Sequence, residues 1–188
     1  MAARLFIVRH GETEWSLSGQ HTSRTDLPLT AHGREQAGVV ADKLAGESFA
    51  LVLCSPLLRA RETCALAGFG DAAQICDELH EWDYGDYEGL TSPQVWQDHD
   101  PNWVLWRDGC PGGESPAQIG ARVDGVLARF AAIEGDGLAF AHGHLLRVLT
   151  ARWLQMEVAA GGHFALAAAA LGVLGHERET PVIDQWSV

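Results

Sequence analysis

The stretch that decides the fold lies at residues 6–13 and reads Phe6-Ile7-Val8-Arg9-His10-Gly11-Glu12-Thr13. Leu5 to Val8 is a short apolar run with a β-branched end, which predicts a buried strand. In open α/β sheets ligands bind beyond the carboxyl ends of strands, so the Arg-His-Gly that follows stands where chemistry is expected. A guanidinium suits phosphate, a neutral imidazole can attack phosphorus, and a glycine lets the backbone approach an anion. Arginine and histidine can also simply end a strand at the surface, so the rest of the chain has to decide.

Length and composition bound the class of protein. The chain has 188 residues, 47% hydrophobic and 20% charged, which predicts a single globular domain over residues 1–188. Its net charge of −12 argues against nucleic acid and anionic membranes as partners. A small anionic substrate would need a local positive cluster. Because Lys43 is the single lysine, that cluster must consist of arginine and histidine.

The cysteines and the apolar runs indicate in which cellular compartment the protein is expected. Cys54, Cys64, Cys76 and Cys110 include no Cys-x-x-Cys pair, and apolar neighbours favour reduced thiols at the first two. No apolar segment of signal-peptide length precedes the first polar motif, and the longest apolar run, 164–174, is too short to span a bilayer. We therefore expect a cytoplasmic protein.

Apolar runs alternate with helical patterns along the chain. Beyond the first strand, buried strands are expected at 51–54, 73–76 and 137–141, with weaker candidates at 164–166, 170–175 and 181–186. Helices are expected over about 30–46, 55–67, 115–133 and 142–154. This alternation predicts an α/β protein, a three-layer α/β/α sandwich with a mainly parallel central sheet.

Residues 79–113 depart from this alternation. They are acidic, rich in glycine and aromatic, and they hold four of the seven tryptophans: Trp82, Trp96, Trp103 and Trp106. We expect a cap-like excursion from the sheet, in which the tryptophans mainly pack against the body of the domain.

Arginines and histidines gather at the predicted strand ends. Arg9 and His10 follow the first strand, and Arg59 lies one turn into the helix after the second. His142 follows the strand at 137–141, and Glu81 comes soon after the short strand. Like charges placed together cost stability unless an anion with several oxygens binds among them. The sequence therefore predicts an oxyanion site at this edge of the sheet.

A family resemblance rests on motifs that occur in order over nearly the whole chain. They are Arg9-His10-Gly11-Glu12-Thr13, Leu29-Thr30 with Gly33 and Gln36-Ala37, Ser55-Pro56-Leu57-Leu58-Arg59-Ala60 with Thr63, Tyr84-Gly85 with Glu88-Gly89, and His142-Gly143-His144. Together they resemble the histidine phosphatase superfamily, which has the phosphoglycerate-mutase-like fold. Segments 81–89 and 106–110 look most similar to bacterial acid phosphatases and the fungal sedoheptulose-bisphosphatase branch.

The resemblance implies a role for each residue at the predicted site. His10 would be the nucleophile that becomes phosphohistidine, while Arg9, Arg59 and His142 bind the phosphoryl oxygens. Glu81 would protonate the leaving alkoxide and then act as base on water. The guanidinium charges should lower the pKa of His10 and keep it neutral. The implied activity is hydrolysis of a small phosphate monoester, including sugar phosphates and bisphosphates, with no cofactor and no metal.

Further substrate contacts are predicted around these residues. The resemblance implies a hydrogen bond from the backbone at Gly143, and the polar loop 12–26 offers Ser16, Thr22 and Ser23 as donors. His144 could line the pocket or be satisfied by backbone at a helix start. Surface or loop roles are assigned to the other histidines: His21, His32, His80, His99, His163 and His176.

Alternatives stay open. A cofactor-dependent phosphoglycerate mutase is disfavoured by Ser16, where mutases usually carry asparagine, and by the lack of an adjacent arginine pair in the excursion. His10, His142 and His144 could instead hold a metal for hydrolysis. A phospho-ligand binding module without turnover would not need both His10 and Glu81. Exposed aromatic residues leave room for a homodimer interface.

Overall fold

A six-stranded sheet with one antiparallel strand forms the centre of the computed structural model, which describes residues 3–188. The strands are β1 (Leu5–Arg9), β2 (Leu51–Cys54), β3 (Gln74–Ile75), β4 (Gly137–Ala141), β5 (Leu171–Glu177) and β6 (Thr180–Gln185). Their order is β3-β2-β4-β1-β5-β6. The first four strands are parallel, and β5 pairs antiparallel with both β1 and β6.

Helices cover both faces of this sheet, which confirms the predicted three-layer α/β/α sandwich. The helices are α1 (Glu14–Ser18), α2 (Ala31–Lys43), α3 (Leu58–Leu66), α4 (Ser92–Asp98), α5 (Leu105–Asp108), α6 (Pro116–Ala131) and α7 (Gly143–Trp153). Short 3-10 turns lie at Asp77–Leu79, Gly85–Tyr87 and Val158–His163. Within the described residues, no helix combines the length and the apolar character needed to cross a bilayer.

The two layers of core follow from the alternation of side chains along β1. Phe6 and Val8 pack with buried residues of α2 and α3, whereas Leu5 and Ile7 pack with those of α6 and α7. Successive residues of a strand point to opposite faces, so a continuous apolar run is what a strand covered on both sides requires. All four cysteines are buried and free, as predicted for the first two.

The helix boundaries differ from the predictions where local hydrogen bonds override the pattern. The polar loop 12–26 contains α1, because Thr13 and Ser16 form a reciprocal capping box. The helix expected from 55 begins only at Leu58, since Leu57 is extended and acts as its N-cap. The 164–166 segment is not a strand: the carbonyl of Leu166 accepts a hydrogen bond from Arg9 instead of a ladder bond.

Residues 79–113 contain two helices, α4 and α5, that the sequence analysis did not predict. The start of α4 has a readable signal, because Thr91 and Gln94 form a capping box. The tryptophans of this segment differ in exposure: Trp82 is fully buried, while Trp96 is 46% exposed. Packing therefore explains some of them and leaves Trp96 without a core role.

Candidate active site

Side chains beyond the carboxyl ends of several strands line a cavity of about 270 Å³. Its walls include Arg9 and His10 at the end of β1, Glu81 beyond β3, and His144 and Arg147 on α7. The parallel pairing of β1 with β4 brings the two strand ends together at this edge. A polar cavity thus lies where the sequence places the oxyanion site.

His10 is held as a neutral imidazole with one nitrogen free. Its Nδ1 lies 2.7 Å from the carbonyl oxygen of Gly11. A carbonyl can only accept, so we assign the proton to Nδ1 and the lone pair to Nε2. Burial, together with the charges of Arg59 and Arg9, lowers the pKa of His10 well below its usual value, as the sequence predicted. The ring is therefore in the form that can act as a nucleophile.

Arg9 presents an unpaired donor beside the cavity. Its Nη1 donates to the carbonyl of Leu166 at 2.6 Å. Its Nε is buried, and no acceptor within residues 3–188 bonds to it. An unpaired buried donor costs about 1–3 kcal/mol, so its retention points to an anionic ligand that pairs with it. A Cβ at Gly143 would lie 3.2 Å from this nitrogen, so glycine keeps the space beside it open.

Arg59 is fully buried and donates to protein groups in three directions. Its Nη1 bonds to the carbonyl of Thr25, and its Nη2 bonds to the carbonyls of Thr22 and Ser23, at 3.1–3.2 Å. Its Nε donates to Nδ1 of His142 at 3.2 Å. In the part of the chain that the structure describes, Arg59 is not in the cavity wall. It fixes the loop 22–25 and places a positive charge near His10.

His142 likewise has both ring nitrogens engaged. Because Arg59 donates to Nδ1, the proton lies on Nε2, which donates to the Ser55 hydroxyl at 2.7 Å. Burial and the Arg59 charge lower the pKa of His142 well below its usual value. Its ring centroid is 5.2 Å from that of His10. Direct contact of Arg59 and His142 with substrate would require exchange of these internal bonds, and it stays a prediction.

Glu81 is bound at the N-terminus of α7. Its carboxylate accepts N–H bonds from His144 at 3.0 Å and Leu145 at 2.8 Å, and one from Trp82 at 2.9 Å. The N-terminus of a helix presents unpaired amides and positive potential, which holds a carboxylate in a fixed orientation. Glu81 is 5% exposed and lies in the cavity wall. It is placed to exchange a proton with a group bound there.

The three predicted hydroxyl donors have different environments. Ser16 lines the cavity, but its hydroxyl accepts from the Thr13 amide in the capping box and donates to the Thr13 carbonyl. Thr22 also lines the cavity, and its hydroxyl donates to the carbonyl two residues earlier. Ser23 does not line it among the described residues, because its buried hydroxyl donates to the carbonyl of Glu81. Contact of Ser23 with substrate would require exchange of this bond, and it stays a prediction.

Two histidines contribute more to the cavity than the sequence indicated. His144, for which the sequence allows a pocket role or a backbone-bonded one, lies in the wall with its Nδ1 2.5 Å from the Tyr84 hydroxyl. His21 lies in a loop, one of the two roles predicted for it, but it is not at the surface: it is 9% exposed and its ring lies 4.7 Å from that of Tyr84. Burial lowers the pKa of both histidines. No periodicity marks His21, so only the tertiary structure identifies it.

Arg147 is a cationic wall residue that the sequence analysis did not include in its site. Its Nε and Nη2 donate to the carbonyls of Gly161 and Gly162, and its guanidinium lies 4.6 Å from the ring centre of Trp106. The spacing could have indicated it, because Arg147 lies one helical turn after Gly143 and so faces the same side of α7.

The metal alternative finds little support in this geometry. Both nitrogens of His142 have protein partners, and His144 is engaged with Tyr84. Guanidinium charge next to His10 would also repel a cation. The donor set suits an anion.

Comparison with known proteins agrees with this chemistry. The sequence profile of the histidine phosphatase superfamily (branch 1) matches residues 5–188. An acid phosphatase of Mycobacterium tuberculosis is 43% identical over 181 residues, covering 93% of this chain and 87% of that protein. A sedoheptulose 1,7-bisphosphatase of Saccharomyces cerevisiae is 37% identical, covering 84% of this chain and 70% of that protein. A solved structure from Mycobacterium tuberculosis superposes with a TM-score of 0.94 at 38% identity, covering 99% and 97% of the two chains.

Proposed function

The chain belongs to the histidine phosphatase superfamily and hydrolyses phosphate esters, and we propose that it does so through a phosphohistidine formed on His10. The state of the His10 imidazole carries the proposal. It is buried, neutral, and bonded through Nδ1 to the carbonyl of Gly11, which leaves the Nε2 lone pair for phosphorus in the adjacent cavity.

In the first step, His10 Nε2 attacks phosphorus as the bond from phosphorus to the ester oxygen breaks. Glu81, having taken up a proton, delivers it to the departing alkoxide. Charge on the phosphoryl oxygens is balanced by Arg9, whose unpaired Nε supports this role, and by the field of Arg59. The N–H of Gly143, at the start of α7, is a further donor for these oxygens.

In the second step, water attacks the phosphohistidine. Glu81, now a carboxylate, takes a proton from that water as the bond from phosphorus to nitrogen breaks. Free phosphate leaves and His10 returns to its neutral form. The backbone amides that hold Glu81 keep the same carboxyl group in place for both proton transfers.

The predicted substrate is a small phosphorylated metabolite. A cavity of about 270 Å³ suits a phosphoryl group with a compact leaving group. Two relatives are named acid phosphatase and sedoheptulose 1,7-bisphosphatase, which supports sugar phosphates and bisphosphates as members of the class.

Rapid quenching tests the intermediate. The enzyme is mixed with ³²P-labelled p-nitrophenyl phosphate and quenched in alkali, which should leave an acid-labile label on His10. His10→Ala should carry no label, and its turnover should be lower by about a thousandfold or more. His32→Ala is the matched control, because His32 is an exposed histidine of α2 and should keep both. Wild-type labelling in His10→Ala would refute the proposal.

A phosphoglycerate mutase is the less supported activity. It would need extra cationic anchors for a carboxylate, and two arginines outside the excursion, Arg24 and Arg147, carry the required charge. Arg147 lines the cavity, but Arg24 pairs with Asp83 and is absent from the described wall. A cytoplasmic location stays a prediction from the sequence, and the homodimer interface stays an open alternative.

A further inference from the structure

A second cavity, of about 160 Å³, shares part of its wall with the active-site cavity. His21, Ser92 and His144 line both, so the two spaces adjoin at these three residues. The remaining walls of the second cavity come from the segment between the start of α4 and the end of α5. We refer to it as the aromatic chamber.

The far wall of the aromatic chamber is apolar and partly open to solvent. It is formed by Trp96, Val104 and Trp106, with Trp103 and Leu105 behind them. Trp96 is 46% exposed and Val104 is 43% exposed. Large apolar side chains left exposed together next to a catalytic cavity mark a binding surface.

Contacts within the chain hold two indoles of this wall in place. Trp96 Nε1 donates to the carbonyl of Trp103 at 2.9 Å, which fixes its indole. The ring of Trp106 lies against Gly161 and Gly162, where a Cβ would come within 2.8 and 3.2 Å of it. A preformed wall avoids the cost of ordering side chains when a ligand binds.

The aromatic chamber offers no charge to a ligand. Among the described residues none of its wall members is lysine, arginine, aspartate or glutamate. Burial lowers the pKa of His21 and His144, so neither supplies a cation. Arg147 lines the other cavity and is stacked over Trp106. A second phosphate or a carboxylate would find no counter-charge in the chamber.

We infer that the aromatic chamber is the subsite for the leaving group and that the enzyme prefers phosphate monoesters whose alcohol carries an uncharged planar ring. The inference rests on the proposed function and narrows its substrate class. The volume supports a single ring, because an apolar cavity of about 150 Å³ is known to bind benzene. The tryptophan walls favour edge and face contacts with such a ring. His21 and Ser92 offer polar contacts at the junction of the two cavities.

Three substrates with similar primary alkoxide leaving groups test the inference: 2-phenylethyl phosphate, n-propyl phosphate and glucose 6-phosphate. We expect kcat/KM for 2-phenylethyl phosphate to exceed the other two by about tenfold or more, since the ring leaves water on binding. Equal values for the three, or a preference for glucose 6-phosphate, would overturn the inference.

Variants of the chamber wall test whether the preference for 2-phenylethyl phosphate comes from the aromatic chamber. Trp96→Ala and Val104→Asp should each lower the ratio of 2-phenylethyl to n-propyl phosphate turnover by about fivefold or more. Val39→Asp is the matched control, because Val39 is 51% exposed on α2 in the other layer and should leave the ratio at its wild-type value. A ratio that is the same in all four proteins would also overturn the inference.

Calorimetry with non-hydrolysable phosphonates separates this inference from the proposed function. 2-Phenylethylphosphonate should bind more tightly than n-propylphosphonate by about tenfold, whether or not the enzyme turns over. If p-nitrophenyl phosphate leaves no phosphohistidine, the proposed function fails. If the label forms but the two phosphonates bind equally, only the subsite assignment fails.

Discussion

At the scale of single residues, the candidate site depends on hydrogen bonds that fix charge and tautomer. Arg59 uses three of its nitrogens on four acceptors, the carbonyls of loop 22–25 and His142 Nδ1. These bonds orient His142 and place positive charge behind His10. A planar guanidinium donates to acceptors in several fixed directions, whereas an ammonium is a compact point charge that cannot reproduce this set of bonds.

Arg59→Lys should therefore reduce activity, although it keeps the positive charge, because lysine cannot form the same set of hydrogen bonds. We expect kcat/KM on p-nitrophenyl phosphate to fall by an amount equivalent to about 2–4 kcal/mol of transition-state stabilisation. Steady-state kinetics with a thermal melt checks it. Arg34→Lys is the control, because Arg34 forms only an exposed ion pair with Glu62. A loss within about threefold of wild type would mean that Arg59 does not organise the site.

At the scale of elements, the site depends on a close approach between the end of β1 and the start of α2. A Cβ at Gly11 would lie 2.3 Å from the carbonyl oxygen of Gly33, and a Cβ at Gly33 would lie 2.2 Å from that of Glu12. Two glycines thus let the backbones touch, and the carbonyl of Gly11 then orients His10. The amide of Gly11 also donates to Thr63 at 3.0 Å, which ties β1 to α3.

Gly11→Ala should separate these two backbones. We expect the free energy of unfolding to fall by about 3 kcal/mol, the upper end for forced overpacking, and turnover to fall with it as His10 moves. Urea denaturation and kinetics measure the two effects. At Gly38 in α2, a new methyl group would have no atom within 4 Å apart from its chain neighbours and the backbone of its own helix, so Gly38→Ala should instead gain about 0.5–1 kcal/mol. Equal stability of the two variants would contradict this account.

At the scale of the whole molecule, the buried histidines make stability depend on pH. Burial and neighbouring guanidinium groups lower the pKa of His10, His142 and His144 well below the usual value near 6.5. Below that pH the unfolded chain takes up protons that the folded protein does not. Burial of these neutral histidines therefore does not reduce the free energy of unfolding above about pH 7. The free energy of unfolding decreases as the pH falls below about 6.5.

The free energy of unfolding should fall by up to about 1.4 kcal/mol per pH unit for each of these histidines. Urea midpoints between pH 8 and pH 5.5 measure it, in a range where few carboxylates titrate. His144→Asn should remove one histidine's share of the slope. His32→Asn, at an exposed position, should leave the slope unchanged. Stability that is flat or rising from pH 7 to pH 5.5 would contradict the burial of neutral imidazoles.

The sequence by itself determined the features that local chemistry encodes. Apolar runs located β1, β2 and β4, and a capping box located the start of α6. The Arg9-His10-Gly11 motif placed His10, the proposed nucleophile, at a strand end. The capping box of Thr91 and Gln94 at the start of α4 is a local signal of the same kind. Patterns of this kind depend on residues within one or two turns of each other, so the chain alone carries them.

Only the tertiary structure decided which side chains reach the cavity. His21 enters it although no periodicity marks it, and Arg59 bonds to the carbonyls of Thr22 and Thr25, contacts that its motif does not indicate. Glu81 and His144 meet across 63 residues of sequence. Such contacts are set when the strands pair and the helices dock, because packing and hydrogen bonding select one rotamer among several that the local sequence permits equally.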